Sequence, residues 1–513
     1  MRRRASTRYL AAIAAVAVMA GCSSDSQTAT PSATTGDPAA TNTSTEATTT
    51  TAVATTDPPA TTAVVAEAPT TVAAAVATPE PASCPAAAPP QLACFTVAVP
   101  ADPAKPTGPT INLAVTVRRA DPSAWTAPVL SEVGASPAFP WLGAPLASQF
   151  PGHDVIWVDV RGAGRSDGAV ACPEAAKYPA ELNSYLLGPE AAGVVKACLQ
   201  QLTTGSVPVD TIFDHNVAAS DLVAVRRALG IDAWSLFTRT GAADTGIRLV
   251  EIDSAAITGW IATSPEIVGT GDSPNTLAAA FAAFAADCSA VPSCAAAGQL
   301  DALATTALKR LTTPVTTKTI EASSGAPVVI DDIGVRAAIR TGMQSPGLAP
   351  AVPSLIAGLA TGAADESLAG IFNGSGGDTS AILLTLPCQA SDYAFPGLEH
   401  SASDKGGIFA GFSLKRWCDA LGPVPQFTGA PKVVSEVPVL IVLPAYGLGS
   451  SEANAAAIFG GFPNTTIVAV PGIADAAVQL ADCFSATATA FFAGPASPVD
   501  TSCLTSPATA TLK

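Results

Sequence analysis

The chain has 513 residues, of which 48% are apolar and only 13% charged, and its formal net charge is −16. That length suits one large domain with appendages. The acidity excludes a nucleic-acid binder, which needs a basic face to meet phosphates, and excludes adhesion to anionic lipid by charge alone. Three histidines and no CxxC spacing give no basis for a zinc site, so neither a metal nor a cofactor is expected.

The N-terminus reads as an export signal. Arg2, Arg3, Arg4 and Arg8 form a positive start, and residues 9–20 are an apolar run too short to span a bilayer comfortably. The run ends in Met19-Ala20-Gly21-Cys22, which resembles the lipobox of bacterial lipoproteins. The expectation is a lipoprotein signal over residues 1–22 and a lipid on Cys22. The lipid anchors the chain to the outer face of the cytoplasmic membrane in a bacterial envelope. An ordinary cleaved signal is the alternative. Residues 23–83 are rich in Thr, Ala and Pro and carry no Lys or Arg. Such a stretch cannot bury enough apolar surface to offset its ordering entropy, so a disordered linker is expected.

With Cys22 set aside, ten cysteines remain, an even number suited to an oxidising compartment. Sequence alone leaves their connectivity open. Pairing of sequential neighbours is the simplest expectation: Cys84–Cys94, Cys172–Cys198, Cys288–Cys294, Cys388–Cys418 and Cys483–Cys503.

Beyond the linker, residues 111–118 alternate like a strand, and residues 129–130 begin another. Residues 154–160, dense in β-branched side chains, read as a strand buried on both faces. Residues 216–229 have helical spacing, with Val217, Leu222, Val225 and Leu229 on one side. A short strand follows at 233–237, then a turn and a helix. Residues 277–311 read as helical, residues 437–443 and 465–470 as strands. This alternation predicts a mostly parallel sheet with helices on both faces. The stretch 285–425 lacks it and reads as a largely helical cap between two parts of the core, 84–284 and 426–513. The six tryptophans read as core or cap packing. The Gly-rich residues 373–378 have no Lys-Ser/Thr after them and are no phosphate cradle.

Several segments together resemble one family. Residues 154–166, DVIWVDVRGAGRS, are similar to the strand and R-G-x-G-x-S loop of α/β-hydrolases, in the version found in secreted tripeptidyl aminopeptidases and proline-iminopeptidase-like enzymes. Residues 216–230 resemble the helix before their nucleophile strand, and residues 380–395 a family segment around a Cys. Residues 437–454 and 463–483 resemble the segments that carry the catalytic Asp and His. The likeness runs in order over residues 94–503 and implies an α/β-hydrolase fold. It also implies a site built from Ser, Asp and His in that chain order.

Each of those positions departs from the pattern. Where the family reads G-x-S-Y-G, this chain reads Thr238-Arg239-Thr240-Gly241-Ala242, so Thr240 holds the nucleophile position. Thr can act as a nucleophile only with a base. Gly447 holds the Asp position, and the nearest carboxylate, Glu452, is expected on the first turn of the next helix. Asp475 stands where His is expected. The Gly-rich oxyanion loop retains Gly134 but has Glu132, whose charge would oppose an oxyanion if turned inward. His153, His215 and His400 lie away from the site. Residues 164–168 match G-x-S-x-G literally, but in the resemblance they form the R-G-x-G-x-S loop, where Ser166 is expected to bond backbone. Arg161 is expected to pair with Asp159, and Arg239 with Asp475 across the site. The sequence therefore predicts no catalytic residues. It predicts instead a vestigial pocket around Glu132, Gly134, Arg239, Thr240 and Gly241 that takes a peptide or small acyl ligand, or else a surface that binds a protein partner. The alternative is an active aminopeptidase or esterase with a rearranged site.

Overall fold

The computed structural model describes residues 77–506, apart from segments of which the longest are 132–148, 179–188, 364–380 and 389–406. Residues 1–76, including Cys22 and most of the expected linker, lie outside the described residues, as do Glu132, Gly134 and His400.

Among the described residues the main sheet has nine strands in the order β1-β2-β3-β5-β4-β6-β7-β10-β11. Its strands are β1 (Glu80–Ala82), β2 (Leu92–Pro100), β3 (Thr110–Arg118), β4 (Val129–Ser131), β5 (Val155–Asp159), β6 (Trp234–Arg239), β7 (Ile257–Thr263), β10 (Val439–Pro444) and β11 (Thr465–Val470). The pairs β1–β2, β2–β3 and β3–β5 are antiparallel, and the pairs from β5 through β4 to β11 are parallel. This order, with an antiparallel entry and a strand–turn–helix at β6, is the α/β-hydrolase fold.

The residues explain the layers. Every side chain of β5 and β10 is buried, as a parallel strand covered on both faces requires. One apolar cluster gathers Leu130, Ile156, Leu236, Trp260 and Ile441 with helix residues such as Leu222, Val225, Ile247 and Val250. The other face packs Phe150, Trp157, Phe237, Phe484 and Phe492. The helix His215–Ala228 starts where the Asp214 carboxylate accepts the Asn216 N–H, an N-cap that supplies one orphan donor with a partner.

A third cluster is the cap. It packs Phe281, Phe284, Leu308, Ile339 and Leu359 from the helices Pro274–Ala290, Leu300–Thr312, Asp332–Gln344 and Val352–Thr361. The cap is less purely helical than expected, because β8 (Lys318–Glu321) and β9 (Pro327–Ile330) form an antiparallel hairpin within it. The sheet also begins inside the stretch expected to be linker, since β1 pairs Glu80–Ala82 with Thr96, Phe95 and Cys94. All five expected cysteine pairs are disulfides. Residues 72–513 make one compact unit, and no described helix is long and apolar enough to cross a membrane.

Candidate functional site

Because β6, β7, β10 and β11 run parallel, their carboxyl ends open on one side, where ligands bind in open α/β sheets. Arg239 ends β6, and Thr240 and Gly241 turn the chain into the helix Ala242–Asp253. Thr240 has φ +46°. That is the left-handed region, unfavourable for a β-branched residue. The turn is imposed by its neighbours. The Thr240 N–H donates to the Thr263 carbonyl at 3.1 Å, and the Thr240 carbonyl accepts from Glu266 at 3.1 Å and from Ala243 at 3.2 Å. Ser264, just past β7, shares φ +46°. The strand–turn–helix thus has the backbone shape of a nucleophile elbow, with a threonine at its apex, and Thr240 and Gly241 are exposed.

The first elbow glycine is replaced by Thr238. This residue is buried, and its hydroxyl accepts the Trp260 indole N–H at 2.8 Å. Gly246 of the elbow helix lies against the same indole, and a Cβ there would come within 2.6 Å of the ring. The helix can approach the sheet only because that position has no side chain.

The base position lies close by. Arg239 donates to Asp475 at 3.2 Å, with the two side chains 31% and 26% exposed. Asp475 also accepts the Ala477 N–H at 2.9 Å, while Gln479 accepts the N–H groups of Ala474 and Asp475. Asp475 is therefore held as the cap of the short helix Ala476–Gln479 and as the partner of Arg239. At the acid position Gly447 is buried in the turn after β10, its N–H bonded to the Pro444 carbonyl at 3.0 Å. Glu452 begins the helix Glu452–Phe459, whose N-cap is Ser451. There it complements the helix dipole.

No described histidine serves this turn. His153 is buried, with Nδ1 2.9 Å from the Ala127 carbonyl and its ring edge-on to Phe492. His215 lies beneath the elbow helix, its Nδ1 2.8 Å from the Thr245 hydroxyl. Burial holds its pKa below the ordinary value; Asp244 and Asp214 oppose that shift and Arg248 adds to it. The hydroxyl of Thr240 has no hydrogen-bond partner among the described residues.

Ser166 is a structural residue. It is buried, its hydroxyl donates to the Asp159 carbonyl and accepts the Ala114 N–H at 2.8 Å. These bonds clip its loop to β3. Gly164 in the same loop has φ +55°, and a Cβ there would meet the Asp159 carboxylate at 2.5 Å. Asp159 instead bonds Arg165. The expected Arg161–Asp159 pair is thus corrected: Arg161 turns inward to Asp221, with two bonds of 2.8 Å, and to the carbonyls of Pro100 and Ala101 and the Thr211 hydroxyl.

One contact at the site had no signal in the sequence. Tyr446, beside the acid position, is fully buried among cap residues, and its hydroxyl donates to Asp287 of the cap helix Pro274–Ala290 at 2.6 Å. Burial and that carboxylate push the phenol up from its ordinary value. The loop that would carry the catalytic acid is used here to dock the cap.

By sequence, no protein-family model matches the chain, and none of the curated proteins does. By structure, it is similar to the proline iminopeptidase of Mycobacterium smegmatis, with 13% identity and a TM-score of 0.35 over 78% of this chain and 98% of that one. A proline iminopeptidase-related protein of Thermus thermophilus gives 14% and 0.34 over 78% and 99%. The haloalkane dehalogenase of Bradyrhizobium elkani gives 12% and 0.32 over 79% and 98%. Scores this low add nothing to the chemistry of the site. The α/β-hydrolase fold of this chain rests on its own sheet order and its elbow.

Proposed function

We propose that the chain is a surface lipoprotein whose hydrolase fold, of the tripeptidyl aminopeptidase type, no longer hydrolyses. On this reading it serves as a binding protein. Cys22 anchors it to the outer face of the cytoplasmic membrane, and the linker stands the folded unit off the envelope. The site at the strand ends binds a peptide or small acyl ligand, or presents a surface to a protein partner. The observation that supports this reading is the Arg239–Asp475 ion pair. It ties the residue at the base position to the arginine beside Thr240, and no imidazole among the described residues is at hand to take a proton from Thr240. Loss of a full triad lowers turnover about a millionfold.

A second reading is supported by the exposed hydroxyl of Thr240 on a strained turn. In it Thr240 is the nucleophile of an active aminopeptidase or esterase. The two readings separate in one experiment. The compact unit Val72–Lys513 is assayed against aminoacyl and tripeptidyl amides and short esters, beside Thr240→Ala and a covalent serine-hydrolase probe. The binding reading expects no turnover above the variant, no labelling, and thermal stabilisation by one ligand class. Turnover abolished by Thr240→Ala overturns it in favour of the second.

A further inference from the structure

The cap and the candidate site meet at one turn. Three successive residues after β11 face three ways. Ile473 is buried in the aromatic face of the core, Ala474 in the cap cluster, and Asp475 holds Arg239 at the strand ends. The turn after β10 lies against them. The Ala445 N–H donates to the Val470 carbonyl and the Tyr446 N–H to the Ile473 carbonyl, each at 2.9 Å. Tyr446 also reaches the cap, where its ring meets Phe284 edge-on with centroids 5.2 Å apart and its hydroxyl donates to Asp287 at 2.6 Å.

Neither end of that last bond suits its own surroundings. Asp287 lies in the last turn of the helix Pro274–Ala290, where a negative charge opposes the helix dipole. Among the described residues no cation pairs with it. The Tyr446 side chain is fully buried, and packing against Phe284 and Ala474 asks only for a ring, which phenylalanine would supply. The hydroxyl adds a polar group whose burial is unfavourable unless it is bonded. Asp287 and Tyr446 therefore satisfy each other only while the cap helix is docked. When the helix lifts, water hydrates both, and the net loss is the modest one of a hydrogen bond exchanged for water. Such a contact fixes where the cap sits without locking it there.

We propose that Tyr446 is a positioning residue that couples the cap to the candidate site. With the cap docked, Tyr446 holds the turn of Ile473 and Ala474, and so holds Asp475 where it meets Arg239. When the cap helix lifts, that turn loses its neighbours on the cap side and the ion pair loosens. The coupling rests on the reading of the strand ends as a binding site. A ligand that competes for Arg239 or Asp475 then favours a lifted cap, and a docked cap favours the intact pair.

The two partners of the ion pair differ in what holds them. Arg239 ends β6, which is bonded to β4 on one side and to β7 on the other, so its backbone is fixed by the sheet. Asp475 belongs to a small separate piece. Its carboxylate accepts the Ala477 N–H, and the Gln479 side chain accepts the N–H groups of Ala474 and Asp475. Residues 474–479 are thereby tied to one another, with Ala474 as the part that packs into the cap cluster. A shift of this piece appears as a change in the separation of Asp475 from Arg239. Linkage makes the effect reciprocal, so loss of the pair loosens the cap helix as well.

The test needs no ligand and uses the compact unit Val72–Lys513. Arg239 is labelled with butanedione, a neutral dicarbonyl that modifies accessible guanidinium groups, and its rate is read by peptide mass. Arg165, paired with Asp159 and 28% exposed against 31% for Arg239, is the internal control. Tyr446→Phe keeps the ring and its packing and removes only the hydroxyl. It is expected to raise the Arg239 rate several-fold, up to the ~10-fold that one hydrogen bond commands, with the Arg165 rate unchanged. Asp287→Ala, which breaks the same bond from the cap side, is expected to do the same. By reciprocity, Asp475→Ala is expected to speed amide hydrogen exchange in the last turn of Pro274–Ala290. An Arg239 rate unmoved by both cap-contact variants overturns the proposal. So does an equal rise at Arg165, the mark of general loosening, or cap exchange indifferent to Asp475→Ala. None of these readouts depends on the hydrolysis and ligand assays, so a failure of the binding reading and a failure of the coupling are told apart.

Discussion

Below and above the elbow, the same turn meets two kinds of chemistry. Below it, charges are buried and paired. The Arg161 side chain is fully buried and bonded through both sides of its fork to Asp221. Arg226 holds Asp253 in the same two-point way, and Arg248 bonds Asp244 and Asn216. Above the turn, Arg239 and Asp475 pair at 3.2 Å in partial solvent, and Thr240 stands exposed. The buried set fixes where the strand–turn–helix sits, and a fold cannot lose half of such a pair cheaply. The solvent-facing set contributes little to stability, so its residues can change without moving the backbone. A scaffold can in this way hold the shape of such a turn while the residues that face solvent above it vary.

The largest effect should come from breaking the lower set. Asp221→Ala leaves the Arg161 guanidinium buried without its counter-ion, a loss that costs about 3–5 kcal/mol. Denaturant unfolding of the compact unit reads it directly. The corresponding change above the turn, Asp475→Ala, loses a partly exposed ion pair and the cap of a four-residue helix and should cost only about 1–2 kcal/mol. If the two variants lose stability equally, the contrast between the layers is wrong.

The next effect sharpens the contrast through pH. Burial lowers the His215 pKa below 6.5, against the pull of Asp244 and Asp214. A group whose folded pKa is depressed in this way is neutral in the fold and takes up its proton more readily when unfolded. Its contribution is intact above about pH 6.5 and is lost as the pH falls below that, by up to about 1.4 kcal/mol per pH unit. His215→Gln retains an amide for Thr245 and removes the titration. The difference in stability between the parent and this variant should therefore shrink in the parent's disfavour from about pH 7 to pH 5. A difference independent of pH would mean that His215 is not held neutral in the fold.

How much of this was legible in the sequence depends on the range of the interactions. Strand β11 matched its reading residue for residue, because its run of Thr, Ile and Val is a local signal. The cysteine pairs followed chain order because each closes a local loop, of 6 to 30 residues. The candidate site positions rest on motif order, a resemblance along the chain and not a local signal. Arg161 was misread because its partner is 60 residues away, and the nearer Asp159 is taken by Arg165 when Gly164 folds the loop back onto it. Hairpin β8–β9 escaped because its strands are only four residues each, shorter than a periodicity can register. The Tyr446–Asp287 contact joins residues 159 apart, and the φ of Thr240 follows from bonds to Thr263 and Glu266, which no propensity encodes.

The smallest predicted effect concerns that φ. A β-branched residue held at φ +46° carries a local cost of about 1–2 kcal/mol relative to an ordinary conformation. Glycine has no such cost, although it gives the unfolded chain more freedom, which takes back about 0.5–1 kcal/mol. Thr240→Gly should therefore raise stability by roughly 0.5–1 kcal/mol, and Thr240→Ala, which keeps a Cβ at the same φ, should change it by less. Because Thr240 is exposed and its hydroxyl bonds no described residue, packing does not enter the comparison. Unfolding midpoints of the three proteins, measured side by side, give the order. A glycine variant no more stable than the alanine one would show that the turn does not hold residue 240 in the left-handed region. The turn would then be as free to relax as the residues above it, and the contrast between the layers would end at Thr240.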